Sequence, residues 1–170
     1  MFYNLYVTKP IAGDFYFRRN SLRLRGFDYA SSRSHFVTIV AENRKRVFTD
    51  LRIAAATIET LLEVHKKFGF NLYCYTLMPD HFHGLIGIGQ TEMTLGRICG
   101  HFKSLSTRRF WEFGEGRLWQ RQFFDHVIRN EVDFWETIEY IRENPVKKDL
   151  CKSWEDWEYY GEPDLQKFFE

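Results

Sequence analysis

Hydrophobic and polar positions along this chain repeat with two different periods, and the switches between them mark out its elements. His35 to Val40, HFVTIV, is β-branched and aromatic, which predicts a strand. A charged connection, NRKRVFTD, follows, and its Asp50 is placed to cap a helix. In LRIAAATIETLLEVHKKFG the apolar residues Leu51, Ala54, Ile58, Leu61, Leu62 and Phe68 fall at helical spacing, with Gly69 as the stop. Two apolar runs, NLYCYTLM and HFHGLIGI, are separated only by Pro79 and Asp80, the mark of an antiparallel pair with a tight connection. From about Met93 to Phe113 the spacing predicts a second helix, broken by Gly114 and Gly116. LWQRQFFDHVI reads as a fourth strand. Asn130 then caps a helix, with Asp133 three residues on and an apolar stripe of Phe134, Ile138 and Ile141. Pro145 biases Asn144 away from helical geometry, which predicts the end of that helix there.

The order of strand, helix, strand, strand, helix, strand is that of a ferredoxin-like βαββαβ sandwich, an α+β fold with its helices on one face of the sheet. The additional C-terminal helix is then free to cross the open face. No internal repeat or low-complexity stretch appears. The chain reads as one domain over residues 1–170, with a basic N-terminal segment to about residue 33 and an aromatic tail from about residue 151.

Composition adds little to this layout but sets limits on function. Hydrophobic residues make up 44% and aromatics 18%, which argues for a folded globule rather than a disordered chain. Lys and Arg number 24 against 23 Asp and Glu, a net charge of +1, so a nucleic-acid partner has to be sought in local clusters. The clusters are Arg18, Arg19, Arg23 and Arg25 near the N-terminus, Lys103, Arg108 and Arg109 late in the second helix, and Lys147 and Lys148 after the last helix. Arg121 lies beside Trp119 and Phe123, a combination of charge and stacking surface used by single-strand binders. Cys74, Cys99 and Cys151 are odd in number and widely spaced, as expected of reduced thiols. The N-terminus lacks the order of a signal peptide, and no run has the roughly 18 apolar residues of a membrane span. The expectation is a cytoplasmic protein with no membrane partner. Trp154, Trp157, Tyr159 and Tyr160 alternate with acids in the tail, which predicts packing onto the domain body.

Two pairs of residues carry candidate chemistry. In His81-Phe82-His83, residues two apart on a strand share a face, so both imidazoles project together while Phe82 points away. Two imidazoles on one face can ligate a metal, although HxH alone arises often by chance. Tyr140 and Asn144 lie one helical turn apart and share a face about 100° from the apolar stripe, at the flank of the buried surface. An oxygen from Asn144 would complete a two-His, one-oxygen site, and Tyr140 would stand one turn away as a nucleophile. With a free pKa near 10, tyrosine needs activation and in-line positioning for that role.

PDHFHGLI, FKSLSTRRF, LWQRQFFDHVIRN and EYIRENPVKKDL, in this order and spacing, resemble the REP-associated tyrosine transposases, relatives of the IS200/IS605 transposases and members of the HUH single-tyrosine nucleases. RRNSLRLRGFDY followed by HFVTIV is similar to the same group, so the resemblance runs from about Arg18 to Leu150. It implies the HUH nuclease fold, His81 and His83 as metal ligands, Asn144 as the oxygen-donating third ligand and Tyr140 as the catalytic tyrosine. It implies Mg²⁺ or Mn²⁺ as cofactor and single-stranded or hairpin DNA, often repeated extragenic palindromes, as partner. The implied reaction is nicking and rejoining through a 5′-phosphotyrosine and a free 3′-OH. His126 in FFDHVIRN matches a position the family commonly fills with histidine, near the metal or the DNA, and a structural role for it is equally open. Relatives in the family work either as dimers that share sites or with a complete site in one chain, so monomer and homodimer both stay open. Two other functions also remain: a domesticated hairpin-binding module without cleavage, and a metal-dependent hydrolase in which water replaces Tyr140.

Overall fold

A computed structural model describes residues 34–89 and 91–169 of the chain. The arginines at 18, 19, 23 and 25 therefore lie outside the described residues. Eight elements follow in order: β1 (Ser34–Val40), α1 (Leu51–Phe68), β2 (Asn71–Met78), β3 (His81–Gly87), α2 (Leu95–Phe110), β4 (Phe124–Val127), α3 (Glu131–Lys147) and β5 (Tyr160–Gly161). The five strands form one sheet in the order β4-β1-β3-β2-β5, and every pairing is antiparallel. The first four strands have the ferredoxin-like order, and β5 is an addition from the tail at the far edge.

Each turn and helix end has a local cause. Pro79 and Asp80 form a two-residue connection between β2 and β3. Asp50 caps α1 by accepting a hydrogen bond from the Arg52 amide at 3.0 Å, and Gly69 closes that helix in the left-handed region at φ 63°. Asn130 Oδ1 accepts from the Asp133 amide at 2.9 Å and starts α3.

The two faces of the sheet are covered differently. α1 and α2 cover the face presenting Val37, Ile39, Leu72, Leu77, Phe82 and Ile86, with Leu61, Val64, Ile98 and Phe102 packed onto it. α3 covers part of the other face through Phe134, Ile138 and Ile141, which meet Phe36, Tyr73, Cys74 and Leu85. Gly84 lets the Phe82 ring fold back along β3, since a Cβ at that glycine would stand 2.7 Å from the ring.

Three details depart from the sequence pattern. Leu51 and Leu62 are exposed, at 66% and 38%, and the buried side of α1 instead includes Thr57 and Thr60. Their hydroxyls donate to the Ile53 and Ala56 carbonyls at 2.7 Å, so threonines that read as polar behave as core residues. The fourth strand is shorter than the 118–128 run. Leu118 and Trp119 turn into the core, where Trp119 Nε1 donates to Ser106 Oγ at 2.8 Å, and among the described residues an isolated bridge to Ala41 joins that part to the sheet. α3 does not stop at Asn144 but continues through Pro145 to Lys147. In the final turn a proline removes only one backbone bond, and the Pro145 carbonyl accepts from the Leu150 amide at 3.0 Å to close the end.

Cys74, Cys99 and Cys151 are all free thiols. Among the described residues no helix is long and apolar enough to cross a membrane. The tail packs onto the body as its composition suggests: Tyr159 is buried, and Asp164 takes hydrogen bonds from the Leu72 amide (2.9 Å) and His65 Nε2 (2.6 Å).

Candidate active site

The alternation of β3 decides what lies where. Phe82 is fully buried on the α1/α2 side, and His81 and His83 project from the other face, as residues two apart must. Their ring centroids are 4.6 Å apart at 75°. Two imidazoles bound cis to one ion at about 2.1 Å would hold their ring centres roughly 4.5 Å apart.

Each imidazole has its Nδ1 engaged. His81 Nδ1 lies 2.6 Å from Asp80 Oδ1, and His83 Nδ1 lies 2.9 Å from Thr38 Oγ1. Partners of this kind orient a ligating ring and fix its tautomer. Burial lowers the pKa of His83 well below its ordinary value, and neighbouring His81 adds to the effect. Burial also lowers that of His81, against the hydrogen bond it donates to the Asp80 carboxylate and the charge of that group, with the positive charges of Arg44 and Lys148 reinforcing the shift. Neutral imidazole is the form that binds metal.

Polar residues flank the pair on both neighbouring strands. In the sheet register His83 stands between Thr38 on β1 and Thr76 on β2. Thr76 Oγ1 is a buried hydroxyl without a partner among the described residues. Such an orphan beside two imidazoles is what a hydrated cation would satisfy. Among the described residues no group of three or more His, Cys, Asp and Glu side chains is arranged to hold a metal, so a third ligand drawn from these residues would be of another type. The donor set of two imidazoles with a carboxamide suits a divalent ion that keeps several waters.

α3 brings Tyr140 to this place within the same chain. The tyrosine ring lies 5.4 Å from the His83 ring and 5.6 Å from Phe36, edge-on to the latter. Burial raises the phenol pKa, and a hydrogen bond with the Asn144 carboxamide partly offsets this. Asn144 is itself buried, one turn further along the same helix. A tyrosine so placed keeps its proton at neutral pH until something stabilises the phenolate.

The remaining sequence candidates scatter. His126 pairs with Phe36 across β4 and β1, and its Nε2 meets the Asp133 carboxylate at 3.1 and 3.3 Å at the start of α3. Lys148 is exposed and close enough to His81 to affect its protonation, and Lys147 is exposed beside it. Arg109 is engaged by Glu63 at 2.6 Å and Glu59 at 3.5 Å, which neutralises it within the protein. Lys103, Arg108 and Arg121 gather at a separate cleft with Arg117, Trp111 and Trp119.

Sequence reading missed Asp80, Thr38 and Arg44. Asp80 adjoins the histidines in PDHFH, so the motif itself carried the signal. Thr38 and Arg44 come close only through strand register and a turn in which Asn43 and Arg44 both take positive φ, 55° and 52°. Arg44 also lies 3.6 Å from Asp80, tying that turn to the histidine pair.

The family model described as "Transposase IS200 like" matches residues 29–144, more than half of the chain. The chain therefore belongs to the IS200-like transposase family, a family of DNA transposases and endonucleases. Two proteins it is similar to bear the name of REP-associated tyrosine transposases. One from Escherichia coli strain K12 is 23% identical over 131 residues, covering 77% of this chain and 77% of the relative. A Haemophilus influenzae protein provisionally given the same name is 26% identical over 148 residues, covering 78% and 81%. A solved REP-associated tyrosine transposase, bound to a REP hairpin, shares the fold with a TM-score of 0.63 at 22% identity over 75% of each chain.

Proposed function

We propose that this transposase binds hairpin DNA and nicks and rejoins a single strand through Tyr140, with Mg²⁺ or Mn²⁺ held by His81, His83 and Asn144. The observation that carries this reading is the docking of Tyr140 against His83 within one chain, 5.4 Å between rings, beside a histidine pair whose Nδ1 atoms are both held by side-chain partners. The hairpin substrate is inferred from the relatives, one of which was solved on such DNA.

In the proposed reaction the Tyr140 oxygen attacks the scissile phosphorus and the bond to the 3′-oxygen breaks. The products are a 5′-phosphotyrosine and a 3′-OH, the phenol proton being passed on to the leaving oxygen. A bound divalent ion supplies Lewis-acid polarisation of the phosphoryl oxygen. The protein contributes position and charge. Asp80 and Thr38 orient the imidazoles, Asn144 steadies the phenol, and Lys148 and Arg44 add positive potential where a phosphate would enter. Rejoining is the reverse attack by the 3′-OH, and the phosphodiester energy is conserved in the covalent link.

The test is a denaturing-gel assay on single-stranded DNA from the regions flanking the protein's own gene, with Mg²⁺ or Mn²⁺. The expected result is a metal-dependent covalent adduct in wild type that is absent in Tyr140→Phe and His83→Ala. Hairpin binding without any adduct would instead identify a domesticated binding module. Metal-dependent cleavage that survives Tyr140→Phe would identify a hydrolase using water.

A further inference from the structure

A second built feature lies away from the histidine pair. The late part of α2 and the segment 117–121 enclose a cleft of about 420 Å³, within the size range of ligand sites. Lys103, Arg108, Arg117 and Arg121 line it, and among the described residues no carboxylate does. Among the described residues none of these four cations has an ion-pair partner, in contrast to Arg109 one position along α2. Lys103 is held in place by donating Nζ to the Arg121 carbonyl at 2.8 Å, which ties the two walls together.

Trp111 stands at the edge of the cleft, and 58% of its surface is exposed. The ring is not free to wander: Nε1 donates to the Gly116 carbonyl at 2.8 Å. Leaving a large indole in water without covering it is unfavourable, and fixing it there is unexplained by the core. Uncompensated cations around a fixed, open aromatic ring are the components of a single-strand binding groove, which holds phosphates by charge and stacks bases on a π face.

The register places segment 117–121 at the same end of the sheet as the histidine pair, while the cleft itself opens on the α2 side, opposite the face that carries the imidazoles. The Gln120 amide donates to the Val40 carbonyl at 2.9 Å, and Val40 pairs with His81. Two strand spacings, about 10 Å, separate the backbone of segment 117–121 from that of His81, so a DNA strand leaving the cleft would pass round this end of the sheet to reach the imidazoles.

We propose that this cleft binds an unpaired nucleotide of the DNA strand that enters the active site, its base stacked on Trp111 and its phosphate held by Arg108, Arg117 and Arg121. The inference rests on the reading of the chain as a DNA-handling enzyme but not on the identity of its nucleophile.

The experiment measures fluorescence anisotropy of a labelled oligo(dT) of about 10 nucleotides, and of a blunt duplex of the same length, against the full chain. Trp111→Ala is expected to weaken binding to the single strand about tenfold and to leave duplex binding unchanged, while Trp111→Phe retains most of the affinity. Arg117→Gln combined with Arg121→Gln is expected to weaken both and to flatten the salt dependence by about one to two logarithmic units per decade of salt. Both sites are exposed, and unaltered thermal melting of the variants verifies the fold. Single-strand affinity unchanged in Trp111→Ala, or absent in wild type, overturns the proposal. Running Tyr140→Phe alongside separates the two readings. Wild-type oligonucleotide binding without an adduct on any substrate defeats the nicking mechanism and leaves the cleft standing. A normal adduct with no effect of the cleft variants defeats the cleft alone.

Discussion

The two faces of one sheet do different work with neighbouring residues of the same strands. On the α1/α2 side, alternate residues such as Val37, Ile39, Leu77 and Phe82 join a continuous apolar core. On the α3 side a smaller apolar cluster around Phe134, Ile138 and Ile141 gives way to Thr38, Thr76, His81, His83 and Tyr140. The first face provides stability and the second tolerates buried polar groups, an arrangement that costs free energy unless each group is bonded. β3 shows the division residue by residue, since Phe82 and His83 are adjacent in sequence and opposite in purpose.

Substitutions at those two positions should therefore separate stability from activity. If His83 holds the proposed metal, His83→Ala is expected to lower adduct formation on the order of a thousandfold, while the melting temperature moves little. Phe82→Ala should do the opposite: a loss of about 3–5 kcal/mol, roughly 10 °C in Tm, with the adduct rate of the still-folded fraction within a few-fold of wild type. If Phe82→Ala removed activity without lowering Tm, the division between the faces would be wrong.

The polar face is also held from behind by the tail. Arg142 on α3 donates to Glu162 (2.8 Å), Tyr160 (3.1 Å) and Glu139 (2.9 Å), and its guanidinium lies 4.8 Å over the Trp154 ring. Burial opposes the charge, but the hydrogen bonds from Arg142 to Tyr160 and Glu162 outweigh it and raise the guanidinium pKa further. Arg142→Ala is expected to destabilise the chain by about 1–3 kcal/mol and to slow adduct formation by loosening the helix that carries Tyr140. Thermal melting and single-turnover adduct kinetics check both parts. Thr38→Val leaves Tyr140 alone but removes the partner of His83 Nδ1, and a loss of about 10- to 100-fold in metal affinity is expected by titration calorimetry.

The smallest effect concerns pH. Burial works against the Asp164 carboxylate, but hydrogen bonds from Lys167, the Leu72 amide and His65 prevail, so its folded pKa lies below the ordinary value of 3.8. A depressed carboxyl contributes stability that is fully present above its unfolded pKa and is lost as pH falls through the folded one. Urea denaturation should show a plateau at neutral pH and a loss of about 1 kcal/mol as the medium becomes more acidic than the unfolded pKa. Asp164→Asn should reduce that slope. An identical slope in the variant would mean the tail is held by other contacts.

Periodicity and turn chemistry made much of this molecule legible from sequence. The period-2 run HFHG assigned the two histidines to one face, Asp50, Gly69 and Asn130 marked helix ends, and the element order named the sandwich. These are local effects, and local chemistry is enough to decide them. The errors arose where tertiary contacts overrode local preference. Thr57 and Thr60 entered the core by bonding their own helix, Trp119 turned inward to meet Ser106, and Pro145 was accommodated in a final turn that had little left to lose.

The sequence by itself thus determined the alternation that puts a metal-binding residue type opposite a core phenylalanine, and the helical spacing that pairs Tyr140 with Asn144. Only the tertiary structure decided that Tyr140 docks on His83, that Thr38 and Asp80 orient the imidazoles, and that the cations of α2 and segment 117–121 close around one cleft. The physical reason is range. Periodicity records which side of an element a residue faces, whereas a site requires knowing which elements meet, and that follows from burying the apolar surfaces of the whole chain at once.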